Sequence, residues 1–134
     1  MNPSNAAANP PAFNNVATAA LEAGQTVPDL LIAACQRYGK RPAFSNLGKT
    51  LSYAQIDALS SDLAASLQHG LKLAPGERVA IMLPNLLQYP VALLAVLRAG
   101  CIAVLVNPLY TPRELQHQLK DSGAAALIVL ENFG

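Results

Sequence analysis

Residues 78–106 read RVAIMLPNLLQYPVALLAVLRAGCIAVLV, and their punctuation decides the fold. Arg78 to Leu83 is an almost unbroken apolar run, set between the Pro75-Gly76 turn and Pro84-Asn85. A strand of that kind is buried on both faces, as strands of parallel sheets are. The spacing then predicts a helix through Ala99, with Asn85 and Gln88 forming a capping box and Pro90 tolerated because it falls early. Gly100 ends that helix, and Cys101 to Val106 is a second strand, stopped by Asn107-Pro108.

The same stretch tests a membrane reading. Leu86 to Val106 is long enough to span a bilayer and carries Arg98 as its single charge. An arginine held deep in hydrocarbon costs at least about 2.5 kcal/mol. Gly100 also follows a helical pattern and precedes a β-branched run, Ile102, Val104 and Val106. Helix, glycine cap and buried strand account for all of these features.

Working outward, Thr111-Pro112-Arg113-Glu114 is a helix start with an N-cap, a proline at the first helical position and a glutamate at the third. Gly123 ends that helix, and Ala125 to Leu130 reads as a third strand. Upstream, Thr26, Pro28 and Asp29 open a helix that Gly39 ends. Ala43 to Asn46 and Thr50 to Leu51 flank Leu47-Gly48-Lys49 as a small hairpin. Ser52 and Gln55 form a capping box ahead of Ile56, Leu59, Leu63 and Leu67, and Gly70 is expected to close that helix. The fold class is therefore α/β: consecutive βαβ units on a mostly parallel sheet, preceded by a helix and a small hairpin.

Composition narrows the class further. The chain of 134 residues is 52% hydrophobic but only 13% charged, with net charge +1 and mean hydropathy +0.29. Disorder of the whole chain is excluded, and so is a basic stripe for nucleic acid. So low a charge implies that part of the surface is normally covered by a partner or by further polypeptide. Cys35 and Cys101 lie far apart among apolar neighbours, which predicts buried reduced thiols and favours a cytoplasmic chain. Met1 to Leu21 carries no charge, and its prolines and asparagines interrupt every apolar run, so residues 1–25 read as a flexible lead-in rather than a secretory signal. The chain stops four residues after the third strand, at Glu131-Asn132-Phe133-Gly134, and reads as cut rather than finished.

The search for chemistry returns little. Ligand sites of open parallel sheets lie beyond the carboxyl ends of the strands, here Leu83-Pro84-Asn85 and Val106-Asn107-Pro108. Neither end offers the glycines that expose backbone N–H groups to phosphate. Gly48-Lys49-Thr50 matches the tail of a phosphate loop, but the first glycine of that motif falls at Ala43. His117 and Asp121, with Lys120 beside them, share one helix face and read as a solvated surface pair. His69 beside Gly70 reads as structural, and Asp57 and Asp62, five apart, do not face each other. Tyr110 and Arg113 are the polar groups next to the expected rim, where a helix-capping turn accounts for them. No catalytic, cofactor-binding or metal-binding residue is assigned. From the residues alone the chain reads as part of an α/β protein with no catalytic constellation of its own; the alternative is a stand-alone βαβ binding or interaction module without catalysis.

GERVAIMLPNLLQYPVALLAVLRAG, followed by VNPLYTPRELQHQLKDSGA, closely resembles the N-terminal region of bacterial long-chain fatty-acid–CoA ligases of the AMP-forming, adenylate-forming superfamily. RPAFSNLGKTLSYAQIDALSSDLAASLQ resembles the opening helix, hairpin and helix of that family. The resemblance covers Thr26 to Phe133, making residues 26–134 a partial N-terminal subdomain. It implies that a fatty acid attacks the α-phosphate of Mg-ATP to give acyl-adenylate and pyrophosphate, and that the coenzyme A thiol then displaces AMP. The family's phosphate loop, Thr-Glu segment, ribose-binding Asp and catalytic lysine match no position here, so the segment alone is expected to be inactive. What maps onto Asn85, Tyr89, Pro90, Asn107, Pro108, Tyr110, Thr111, Arg113 and Glu114 is the family's signature, with an architectural role. ATP, Mg²⁺, coenzyme A, the long-chain fatty acid and the remainder of the ligase chain are implied for the complete enzyme. Acyl chain length, homodimer formation and peripheral docking on the inner membrane are left open.

Overall fold

Three N-caps set the frame of the computed structural model, which describes residues 26–130; the lead-in expected over 1–25 lies outside them. Thr26 caps α1 (Val27–Tyr38), Ser52 caps α2 (Tyr53–Ala65) and Thr111 caps α4 (Pro112–Ser122), each closing a full capping box. In each box the hydroxyl accepts from the third helical N–H while that residue's side chain takes the cap's own N–H, so two orphan donors are satisfied together. Between α1 and α2, β1 (Pro42–Asn46) and β2 (Lys49–Ser52) form an antiparallel hairpin. Its two-residue turn has φ of +51° at Leu47 and +78° at Gly48, the left-handed pair of a type I′ turn whose twist matches the strands it joins.

The parallel sheet has the order β4-β3-β5, with β3 (Arg78–Met82) between β4 (Ile102–Leu105) and β5 (Ala126–Val129). Among the described residues only β3 has a strand on each side, and Val79, Ala80 and Ile81 are wholly buried, while all four residues of β5 are partly buried. Among the described residues β4 and β5 are the edges of this sheet, and Ile102 and Leu105 of β4 are exposed. On one face of the sheet, Val79, Ile81 and Leu83 pack with Ala92, Ala95 and Val96 of α3 (Gln88–Arg98) and with Ala64 of α2. On the other, Ala80, Met82 and Val106 pack with Leu115 and Leu119 of α4. α1 lies behind α2 and α3, joined through Cys35, Ile56 and Leu94. Helices on both faces of the sheet place the carboxyl ends of β3 and β4 at one rim.

Two expectations are corrected. The helix after β3 starts at Gln88 with Leu87 as its N-cap and no side-chain cap, so Asn85 and Gln88 do not form a capping box. The cause is Pro90: a helix capped at Asn85 would put the proline fifth, where its ring meets the carbonyl four residues back. With Leu87 as the cap, Pro90 stands third, in the first turn, where a missing N–H costs nothing. The second correction concerns Gly70. The regular turns of α2 end at Ala65, and one π-helical turn, Ser66–Gly70, follows, with Leu71 N–H donating to Ser66 O at 3.0 Å. The left-handed residue is Lys72, at φ +55°, and the wide turn keeps Leu67 in the core beside Ala64. The membrane candidate is resolved as α3, Gly100 at φ +77° and β4. No helix of the described residues is long and apolar enough to cross a membrane.

Both cysteines are free and buried. Burial pushes each thiol above the ordinary value of 9.0; the Asp57 carboxylate adds to this at Cys35, against the Arg98 guanidinium, and Glu77 adds to it at Cys101. The unfolded thiols ionise first as pH rises, so this contribution to stability is intact below about pH 9 and declines above it. Ellman's reagent at pH 8 is expected to react slowly with the native chain and with both thiols after unfolding. The unfolding midpoint should fall from pH 8 to pH 10, less steeply in Cys35→Ala/Cys101→Ala.

Candidate functional site

The rim beyond β3 and β4 is assembled from short polar contacts, most of them local. After β3, Leu86 N–H donates to Pro84 O at 2.7 Å, and Tyr89 N–H to Leu86 O at 3.0 Å. The hairpin reaches this turn through Asn46 Nδ2, which donates to Asn85 O at 3.2 Å. Tyr89 turns inward onto the main core. After β4, Asn107 Oδ1 accepts from Leu109 N–H at 2.9 Å and Asn107 O from Tyr110 N–H at 3.1 Å, an Asx turn inside a β-turn. Thr111 Oγ1 accepts from Glu114 N–H at 3.2 Å and donates to Glu114 Oε1 at 3.0 Å. Gln118 Nε2 ties α4 back to β4 by donating to Leu105 O at 3.2 Å.

Tyr110 and Arg113 are not brought together. Tyr110 lines a shallow cleft of about 570 Å³ with Glu114, Gln118 and Asp121, whereas Arg113 lines another, of about 440 Å³, with Gln116 and Lys120. Glu114 and His117 border both, and His117 Nε2 lies 3.0 Å from Asp121 Oδ2, with 79% and 66% of the His117 and Asp121 side chains exposed. That is a solvated helix-face pair, and among the described residues no Ser or Cys is hydrogen-bonded to it. Gly48-Lys49-Thr50 is the hairpin turn and the start of β2, and Thr50 Oγ1 is bonded to Ser45 Oγ at 2.8 Å, so this segment is sheet rather than a phosphate loop. His69 sits exposed in the π-helical turn.

Two polar links escape a reading by motif. Arg98 Nη1 of α3 lies 2.6 Å from Asp57 Oδ1 of α2, with 19% and 34% of the side chains exposed. Arg78 Nη1 donates to Ser122 O at 2.7 Å, across 44 residues, beside the left-handed cap Gly123. The signal for the first was the lone arginine in an apolar helix, which must find an anion. Arg98→Met is expected to destabilise by about 1–3 kcal/mol, because Asp57 loses a charge-assisted bond in a partly shielded site. Asp57→Asn/Arg98→Met should recover part of that loss in a double-mutant cycle read by urea unfolding.

A model described as AMP-binding enzyme matches residues 31–133. The chain belongs to the AMP-binding enzyme family. Among curated relatives, this family member is 56% identical over 109 residues to the long-chain-fatty-acid–CoA ligase of Salmonella typhimurium, a match covering 81% of the chain and 19% of the relative. Among solved structures, the N-terminal subdomain of Klebsiella oxytoca NpsA superposes with TM-score 0.70 at 30% identity, over 78% of this chain and 27% of that one. Unliganded O-succinylbenzoate coenzyme A synthetase of Bacillus subtilis gives TM-score 0.72 at 29% identity, over 78% and 23%. The chain thus spans about a fifth of the ligase it matches, in the N-terminal part. Asn107, Thr111 and Glu114 of the expected signature shape the turn and cap after β4, and Asn85 joins the turn after β3 to the hairpin.

Proposed function

We propose that the chain is the N-terminal scaffold of a long-chain fatty-acid–CoA ligase, an enzyme that converts fatty acid, ATP and coenzyme A to acyl-CoA, AMP and pyrophosphate. The observation that carries this reading is the 56% identity over 109 residues to a protein named for that activity. Activating a carboxylate through its acyl phosphate places growing charge on phosphate oxygens, which need clustered N–H donors, cations and a metal. The described residues do not fit that demand. Pro84 and Pro108 at the strand ends supply no N–H, and the Leu109 and Tyr110 N–H groups are already taken by Asn107. Among the described residues, no three His, Cys, Asp or Glu side chains lie close enough to hold a metal ion. No step of the reaction is therefore assigned to this segment, and ATP, Mg²⁺ and coenzyme A are proposed to meet the rest of the enzyme. The two buried free thiols support placing it in the cytoplasm.

What the segment contributes is a rigid rim: capped helices and a central strand buried on both faces. The test is a chimera in which this chain replaces the matching segment of the Salmonella typhimurium ligase. Palmitoyl-CoA formation from palmitate, ATP, Mg²⁺ and coenzyme A is expected within about tenfold of the parent enzyme, since a scaffold alters rate through positioning alone. A folded chimera that makes no acyl-CoA contradicts the reading.

A further inference from the structure

Charge is unevenly placed along the chain. Residues 30–56 hold Arg37, Lys40, Arg41 and Lys49, four of the nine Lys and Arg, and none of the eight Asp and Glu. The rest of the chain is left with five cations and eight acids. All four cations are exposed and, among the described residues, none of them is ion-paired. The C-terminal dipole of α1 accounts for Arg37, in its last turn, but not for the other three, which lie beyond the helix. Arg37 and Arg41 stand 5.5 and 5.4 Å from the centre of the Tyr38 ring, so two like charges gather around one ring. Tyr53 N–H donates to Arg41 O at 3.1 Å and Ala54 N–H to Gly39 O at 2.8 Å, which fixes this segment against the start of α2.

The hairpin adds apolar groups to the same stretch. Leu47 is 88% exposed at its tip, and Phe44 is 48% exposed on β1. Leu47 also has φ +51°, at a turn position where Asn, Asp or Gly would relieve the backbone and suit water. Nothing within the described residues offsets these two local costs, because the fold gives the leucine no cover. A residue that breaks two local rules at once points to a contact outside the molecule.

We infer that the hairpin and the Arg37–Arg41 segment form a docking surface for a lipid bilayer that carries anionic headgroups. Leu47 enters the boundary between headgroups and acyl chains, while Lys49 beside it and the cations at the base of the hairpin engage the headgroups. Charge complementarity selects this partner: cations with no acid among them are drawn to anionic headgroups, and the apolar tip gains by leaving water. A nucleic acid would satisfy the cations alone, since it offers an exposed leucine no apolar layer. Asn46 Nδ2 holds the hairpin to Asn85 O in the turn after β3, so docking also keeps the rim of the sheet near the lipid. The ligase reading is not needed for any of this; charge, exposure and turn geometry suffice.

The test is flotation of the 134-residue chain with vesicles of phosphatidylcholine alone, and of phosphatidylcholine and phosphatidylglycerol at about 7:3. Binding is expected to be at least about 100-fold tighter on the anionic vesicles at about 0.1 M salt, and to lose that gain at about 1 M. Arg37→Gln/Lys40→Gln/Arg41→Gln should weaken binding to the anionic vesicles by about 100-fold, and Lys49→Gln by about fivefold. Leu47→Asn should weaken it by about tenfold and keep the salt dependence, while Leu47→Met retains the parent's binding. Circular dichroism melts show which variants are folded; Lys49→Gln and Leu47→Asn, both at an exposed turn, decide the matter if the triple variant unfolds. Equal binding to the two vesicle types, no flotation with either, or full binding by folded Leu47→Asn overturns the inference. So does retention on immobilised heparin by a chain that ignores the anionic vesicles, which would assign the cations to a soluble polyanion.

Discussion

Replacing Ile81 with alanine is expected to lower the thermal midpoint by about 10–30 °C, the largest stability effect of any single side chain considered. Ile81 stands in the central strand, is wholly buried, and belongs to the cluster that joins the sheet to α2 and α3. Truncation removes its transfer free energy and leaves a cavity that flanking β-structure cannot fill, a loss of about 2–5 kcal/mol. A domain of this size has only about 5–15 kcal/mol in total, so the variant should sit close to unfolding at room temperature. Leu47→Asn supplies the contrast. Leu47 is just as apolar but 88% exposed at the hairpin turn, with φ +51°. Asparagine tolerates that left-handed backbone better than leucine, so this variant should melt no lower than the parent chain. Circular dichroism melts of the three proteins check both claims. Equal midpoints for Ile81→Ala and the parent would show that β3 is not the centre of the core.

The features readable from sequence are those whose cause is local. Thr26, Ser52 and Thr111 announce their helices because a capping box is complete within four residues, and Gly100 and Gly123 end theirs because the left-handed turn lies at the glycine itself. β3 was recognisable as buried because burial on both faces removes all alternation from its sequence. What escaped has distant or competing causes. Pro90 overrides the capping signal of Asn85, and burial of Leu67 overrides Gly70 as a terminator. The Asp57–Arg98 pair joins residues 41 apart, which no spacing rule reaches. The candidate site divides in the same way: the turn at Asn107 and the cap at Thr111 were legible, while the separation of Tyr110 from Arg113 onto different clefts depends on how α4 is turned against the sheet.

The central claim is that these residues shape an acid-activating ligase without handling the phosphate groups themselves. Its most direct test is pyrophosphate release by the purified 134-residue chain supplied with palmitate, ATP and Mg²⁺. The rim of β3 and β4 presents prolines and internally satisfied amides where a phosphate would need free donors, and His117 and Asp121 face solvent as a simple helix pair. Without stabilisation of the developing phosphate charge the barrier stays close to that in water, where each 1.4 kcal/mol left unmet costs about tenfold in rate. The account predicts pyrophosphate no higher than in a blank lacking protein. Release at a rate on the order of 1 s⁻¹ or faster, typical of enzymes, and abolished by heat inactivation of the chain, would contradict it.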